Sequence, residues 1–111
     1  ITSTANSFNW QSIYNKGQSA PFFEIEPIVC TFQLSIPFDE WVNKFDKDEA
    51  PAREKKNIKV LFRGVSKDNP HKAIVVVQAE EGVLRQHIHE SYEIFEKNGA
   101  DMSTAVPSLW T

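Results

Sequence analysis

Residues 58–79 read IKVLFRGVS, KDNPHK, AIVVVQA: two β-rich runs, Ile58 to Ser66 and Ala73 to Ala79, around a segment in which Asp68, Asn69 and Pro70 are turn formers. The pattern predicts a β-hairpin. In the second run Ile74, Val75, Val76 and Val77 are consecutive, so both faces of that strand are apolar. Such a strand belongs in the interior of a sheet, covered on one side by helices and on the other by something else.

Working outward, the upstream segment supplies a strand and a helix. From Ile28 to Leu34 the apolar residues Ile28, Cys30, Phe32 and Leu34 alternate with Val29, Thr31 and Gln33, the period of a strand with one buried face. Phe38, Trp41, Val42 and Phe45 follow at spacings of three, four and seven and make one helical stripe, with Pro37 tolerated in the first turn. Asp46 to Asn57 is highly charged and broken by Pro51, which predicts an interruption and then a short, exposed helical segment. Downstream, Leu84, Ile88, Tyr92 and Phe95 trace a second stripe. That helix should open with Glu80 and Glu81 at its positive end and stop at Gly99. Asp101 to Trp110 provides a last strand, with Pro107 confining it to an edge or an end.

The order β-α-β-β-α-β predicts an α+β fold of ferredoxin-like type, an antiparallel sheet with two helices on one face. The other face would then carry Val and Phe side chains with nothing over them, and an apolar patch of that size calls for an interaction. The domain spans 28–111. Residues 1–27 differ in kind, being rich in Ser, Thr, Asn and Gln with few charges, and they are expected to form an extended N-terminal docking arm. Phe8, Trp10, Tyr14, Phe22 and Phe23 are too apolar for a solvated linker, so they are expected to dock, either by wrapping the arm on its own domain or by anchoring it in a groove of a partner.

With 111 residues there is room for one domain, and 41% hydrophobic against 24% charged residues is a globular balance. A net charge of −3 gives no footprint for nucleic acid. No apolar run approaches the length of a membrane span. A single cysteine allows no intrachain disulfide and suggests a reducing compartment. Opening on Ile1 rather than Met suggests a leader that has been removed or that lies outside these residues.

No catalytic, cofactor-binding or metal-binding constellation emerges. His87 and His89 are two apart on a helix and point to different sides, so they cannot share a metal as an i, i+4 pair would, and they are expected to face solvent or the helix edge. His71 falls in the hairpin turn. Cys30 is in phase with core residues and is expected to behave as a buried small hydrophobe. The four glycines are isolated and form no phosphate loop. RNA binding is disfavoured because the run 73–79 lacks base-stacking aromatics. Arg53, Lys55 and Lys56, with Lys59, form the best electrostatic candidate for a partner surface, although Glu49 and Glu54 dilute them into what reads as a solvated face.

Thr31-Phe32-Gln33-Leu34-Ser35, Phe38-Asp39-Glu40-Trp41, Leu61 to Asp68, Val76-Val77-Gln78-Ala79 and Glu81-Gly82-Val83 together resemble a family of small cyanobacterial and algal proteins grouped as a domain of unknown function. The resemblance covers about residues 28 to 110 and implies a ferredoxin-like α+β domain with no catalytic role to transfer. It further implies a plastid protein, in the stroma or on the stromal face of the thylakoid, with a cytoplasmic location as the alternative. The function it suggests is a non-enzymatic accessory subunit, docked by arm and open sheet face onto a larger assembly of photosystem I type. The alternative is a homodimer similar to dimeric α+β barrel monooxygenases, enclosing a small-molecule pocket, with Arg63, His87 and Trp41 as its candidate lining.

Overall fold

The computed structural model describes residues 25–80 and 82–110. Strands β1 (Ile25–Leu34), β2 (Lys59–Val65), β3 (Lys72–Glu80) and β4 (Ala100–Leu109) form one antiparallel sheet in the order β2-β3-β1-β4. Helices α1 (Phe38–Lys47), α2 (Ala50–Lys55) and α3 (Val83–Lys97) complete an α+β fold with three helices. The hairpin falls where the sequence places it, and its turn is closed by Ser66 N–H donating to Lys72 O at 2.9 Å and Lys72 N–H to Asn69 O at 3.0 Å. As the run of valines predicts, β3 is an interior strand.

Residues directly opposite each other in an antiparallel ladder point to the same face, so the registers sort the strands into two surfaces. Val60, Val77, Ile28 and Leu109 lie in one row across the sheet, and Val65, Ala73 and Phe32 in another. This is the covered face: Ile28, Phe32, Ala73 and Val77 share one buried cluster with Trp41 and Phe45 of α1 and Leu84 of α3. The opposite face carries the rows Phe62, Val76, Val29, Ser108 and Gly64, Ile74, Thr31, Val106.

α1 starts after Pro37 and matches its own dipole, with Asp39 and Glu40 in the first turn and Lys44 and Lys47 in the last. Pro51 begins a new helix rather than a loop, because the first turn does not need its missing N–H. The segment expected to be exposed is not wholly so, since Glu49 and Arg53 turn inward and are buried. Two boundaries also differ from expectation. β1 begins at Ile25, so residues 25–27 assigned to the arm are ladder residues paired with Gln78, Ala79 and Glu80. α3 begins at Val83 behind a left-handed Gly82 and has no acid in its first turn; Glu80 ends β3 instead of complementing the helix dipole. The ladder partner Ile25 holds Glu80 in the sheet, an option that local periodicity does not reveal.

A bulge marks the middle of β4, where Met102 to Ala105 stand opposite Phe32 alone. Side chains replace the missing ladder bonds. Thr104 Oγ1 accepts from the Gln33 N–H at 2.8 Å and donates to Asp101 O at 2.6 Å, while Glu96 Oε2 accepts from the Met102 N–H at 2.8 Å.

α3 ends as its sequence predicts, with Asn98 at the C-cap and Gly99 at φ 107°. The carbonyl of Gly99 accepts from Ser35 N–H at 2.8 Å, and a Cβ at Gly99 would stand 2.5 Å from Cγ1 of Ile36. Gly99→Ala therefore combines a disfavoured backbone conformation with a clash against a β-branched side chain. It should lower stability by about 2 kcal/mol, read as a shift of the urea midpoint with unchanged slope.

Candidate functional site

Two features of the described residues stand out chemically: a cavity between the helices and the sheet, and the uncovered sheet face. The cavity offers about 80 Å³ to the centres of water molecules. One water needs only about 10–15 Å³ on that measure. Phe32 and Val75 of the sheet form its floor, and Trp41 and Phe45 of α1 and Phe95 of α3 supply aromatic walls. The ring centroids of Trp41 lie 5.6 Å from Phe32, 5.7 Å from Phe38 and 4.9 Å from Phe45.

Glu49, Arg53 and His87 also line this space. Arg53 Nη2 donates to the carbonyl of Phe45 at 2.9 Å, and its guanidinium lies 4.0 Å from the Phe45 ring centroid. Glu49 Oε2 accepts from Asn98 Nδ2 at 2.8 Å, with Arg53 Nη1 4.0 Å from the other carboxylate oxygen. Burial is the main influence on both groups: it raises the Glu49 carboxyl despite the Asn98 bond and the Arg53 charge, and it lowers Arg53.

His87 is 3% exposed, so the expectation of a solvent-facing ring is overturned. The helical stripe Leu84, Ile88, Tyr92 and Phe95 is broad enough to include position 87, and the end of α2 reaches it: Lys56 Nζ, one residue beyond α2, stands 3.1 Å from His87 Nδ1 and 2.8 Å from Glu90 Oε1. An ammonium only donates, so Nδ1 accepts and the ring proton resides on Nε2. Burial and then the Lys56 charge hold the imidazole down to about 4, which keeps it neutral. Its ring packs edge-on against Phe95 at 5.6 Å between centroids. Cys30, half-buried at the cavity wall, has its thiol pushed up to about 12 by its apolar surroundings, against the hydrogen bond from the Val106 backbone. It is not a nucleophile near neutral pH.

On the uncovered face Phe62 is 57% and Val106 61% exposed, with Val29, Ile74 and Val76 half-buried between them. The Phe62 ring lies across Gly64, where a Cβ would come within 3.0 Å of it. Charge is confined to the ends of this face: Lys59 stands opposite Gln78 at one end, and Lys72 and Asp101 flank Gln33 at the other.

The expected site residues are thus dispersed. Phe8, Trp10, Tyr14, Phe22 and Phe23 lie outside the described residues. Of the basic group, Lys55 is exposed, Lys56 is held by His87 and Glu90, and Arg53 is inside the domain, where a partner cannot reach its charge. Trp41 and His87 do come together at the cavity. Arg63 does not: it leaves the sheet edge to form a two-pronged ion pair with Asp46, Nε to Oδ1 at 2.9 Å and Nη2 to Oδ2 at 2.5 Å. Glu49 and Asn98 were missed because only tertiary packing brings these residues, far apart in sequence, into contact.

Among the described residues no group of His, Cys, Asp and Glu side chains could hold a metal ion, and no helix is long and apolar enough to cross a membrane. The features define a small antiparallel α+β domain with an apolar internal cavity and one uncovered sheet face. Residues 25–111 match the family described as a domain of unknown function, DUF3764, and the chain belongs to that family. No curated protein and no solved structure matches it.

Proposed function

We propose that the chain is a non-enzymatic accessory subunit that docks onto a larger protein complex through its uncovered sheet face. The observation that carries this is the pair of central rows, Phe62, Val76, Val29, Ser108 and Gly64, Ile74, Thr31, Val106, which are mainly apolar and contain no charged residue. The matching surface is therefore a protein patch that is apolar and uncharged in its middle, rather than an anionic membrane or a nucleic acid. Counted from the other edge the strands run β4-β1-β3-β2, all neighbours antiparallel, which supports a ferredoxin-like βαββαβ reading of the fold. The sequence resemblance extends the proposal to a peripheral subunit on the stromal side of a photosystem I-type assembly, with the aromatics of residues 1–24 as further anchors.

Phe62→Asp places a charge at the β2 end of a central apolar row, at a position already exposed to water. The full chain should co-sediment with solubilised thylakoid complexes, and the variant should lose at least tenfold of that association while its far-ultraviolet circular dichroism is unchanged. A wild-type chain that sediments only as a free monomer would overturn the proposal. So would a stable homodimer dissociated by Phe62→Asp, an outcome that favours the barrel-like dimer, whose two apolar faces carry no opposing central charges.

A further inference from the structure

The cavity between the helices and the sheet is separate from the docking face and carries an inference independent of it. Its walls are mainly aromatic and aliphatic, yet a donor buried there has no partner among the described residues. Lys56 occupies Nδ1 of His87 and thereby fixes the proton on Nε2. No hydrogen bond to that Nε2–H is found among the described residues, although His87 is only 3% exposed and lines the cavity. A buried N–H with no acceptor is costly, and native interiors rarely leave one so. The other ionisable groups at the cavity are already engaged, Arg53 with the Phe45 carbonyl and Glu49 with Asn98.

We propose that this cavity binds a small, uncharged, mainly apolar molecule bearing one hydrogen-bond-accepting oxygen, which the Nε2–H of His87 takes up. The aromatic rings of Phe32, Trp41, Phe45 and Phe95 receive the apolar body. An anionic ligand is disfavoured because its charge would be desolvated against apolar walls, where the Arg53 charge is already offset by Glu49 and its guanidinium donates to the Phe45 carbonyl. The volume, room for several waters, fits a molecule of one ring with a short substituent better than a large cofactor.

Two probes of the same shape test the proposal: acetophenone, which has the acceptor oxygen, and α-methylstyrene, in which a methylene replaces it. Each is titrated into the full chain while nuclear magnetic resonance follows the His87 imidazole N–H and the ring protons of Trp41 and Phe95. Acetophenone should bind saturably, move the His87 N–H signal, and bind at least tenfold more tightly than α-methylstyrene. His87→Phe should keep the apolar walls and abolish the preference. Lys56→Met releases the tautomer and should reduce the preference severalfold, and it serves if the first variant does not fold. The proposal is overturned if neither probe saturates, as when the cavity holds only water. It also fails if the two bind equally to the wild-type chain, if the preference survives in both variants, or if the shifts fall on Phe62 and Val106 instead.

Discussion

Trp41→Ala should lower the unfolding free energy by about 3–5 kcal/mol, the range for truncating a buried large aromatic. Trp41 is 1% exposed and the largest fully buried side chain among the described residues. It joins α1 to the sheet through Phe32 and to the rest of its own helix through Phe38 and Phe45. Removing the indole would enlarge a space that already exists, so little collapse can offset the lost contacts. Domains of this size have only about 5–15 kcal/mol of total stability. The variant should therefore unfold at much lower urea concentration, or populate a loosened state at 25 °C. Trp41→Phe retains part of the ring and should lose less than half as much. A wild-type urea midpoint in Trp41→Ala would show that the α1–sheet contact does not hold this fold together.

The second large effect is on pH dependence. The unfolded chain protonates His87 near 6.5, whereas in the folded protein burial and Lys56 hold it to about 4. Between these values the unfolded state binds more protons, so stability rises with pH through that window. The contribution is complete above about 6.5 and is lost as pH falls to about 4; a shift of that width is worth about 3 kcal/mol. Other groups titrate nearby. Glu49, raised by burial, acts in the opposite direction by favouring the folded state as it protonates, while Asp46 and Glu90, lowered by Arg63 and by Gln86 and Lys56, act in the same direction as His87. The difference between wild type and His87→Phe isolates the imidazole. That difference should change by about 3 kcal/mol between pH 7 and pH 4, measured by urea unfolding at each pH. A pH-independent difference would mean that the ring protonates freely in the folded state.

Short-range patterns of residues are enough to place the elements and one surface of the sheet. Alternation at Ile28, Cys30, Phe32 and Leu34, the stripe Phe38, Trp41, Phe45, the turn at Asp68-Asn69-Pro70 and the stop at Gly99 each depend on neighbours a few residues away, and each is present where it was read. Local periodicity is sufficient there because hydrogen bonding and burial repeat with the same short periods. Which polar groups go inside depends instead on long-range packing. Arg53 and Glu49 read as solvated because their sequence neighbours are charged, and His87 reads as a solvent-facing or helix-edge residue, yet each finds a partner or a packing surface on another part of the chain: the Phe45 carbonyl, Asn98 and Lys56. Burial of an ionisable group depends on partners that lie 8, 49 and 31 residues away, and no local pattern encodes that pairing. For the same reason the cavity, and the tautomer of the histidine on its wall, emerge only when the helices have closed over the sheet.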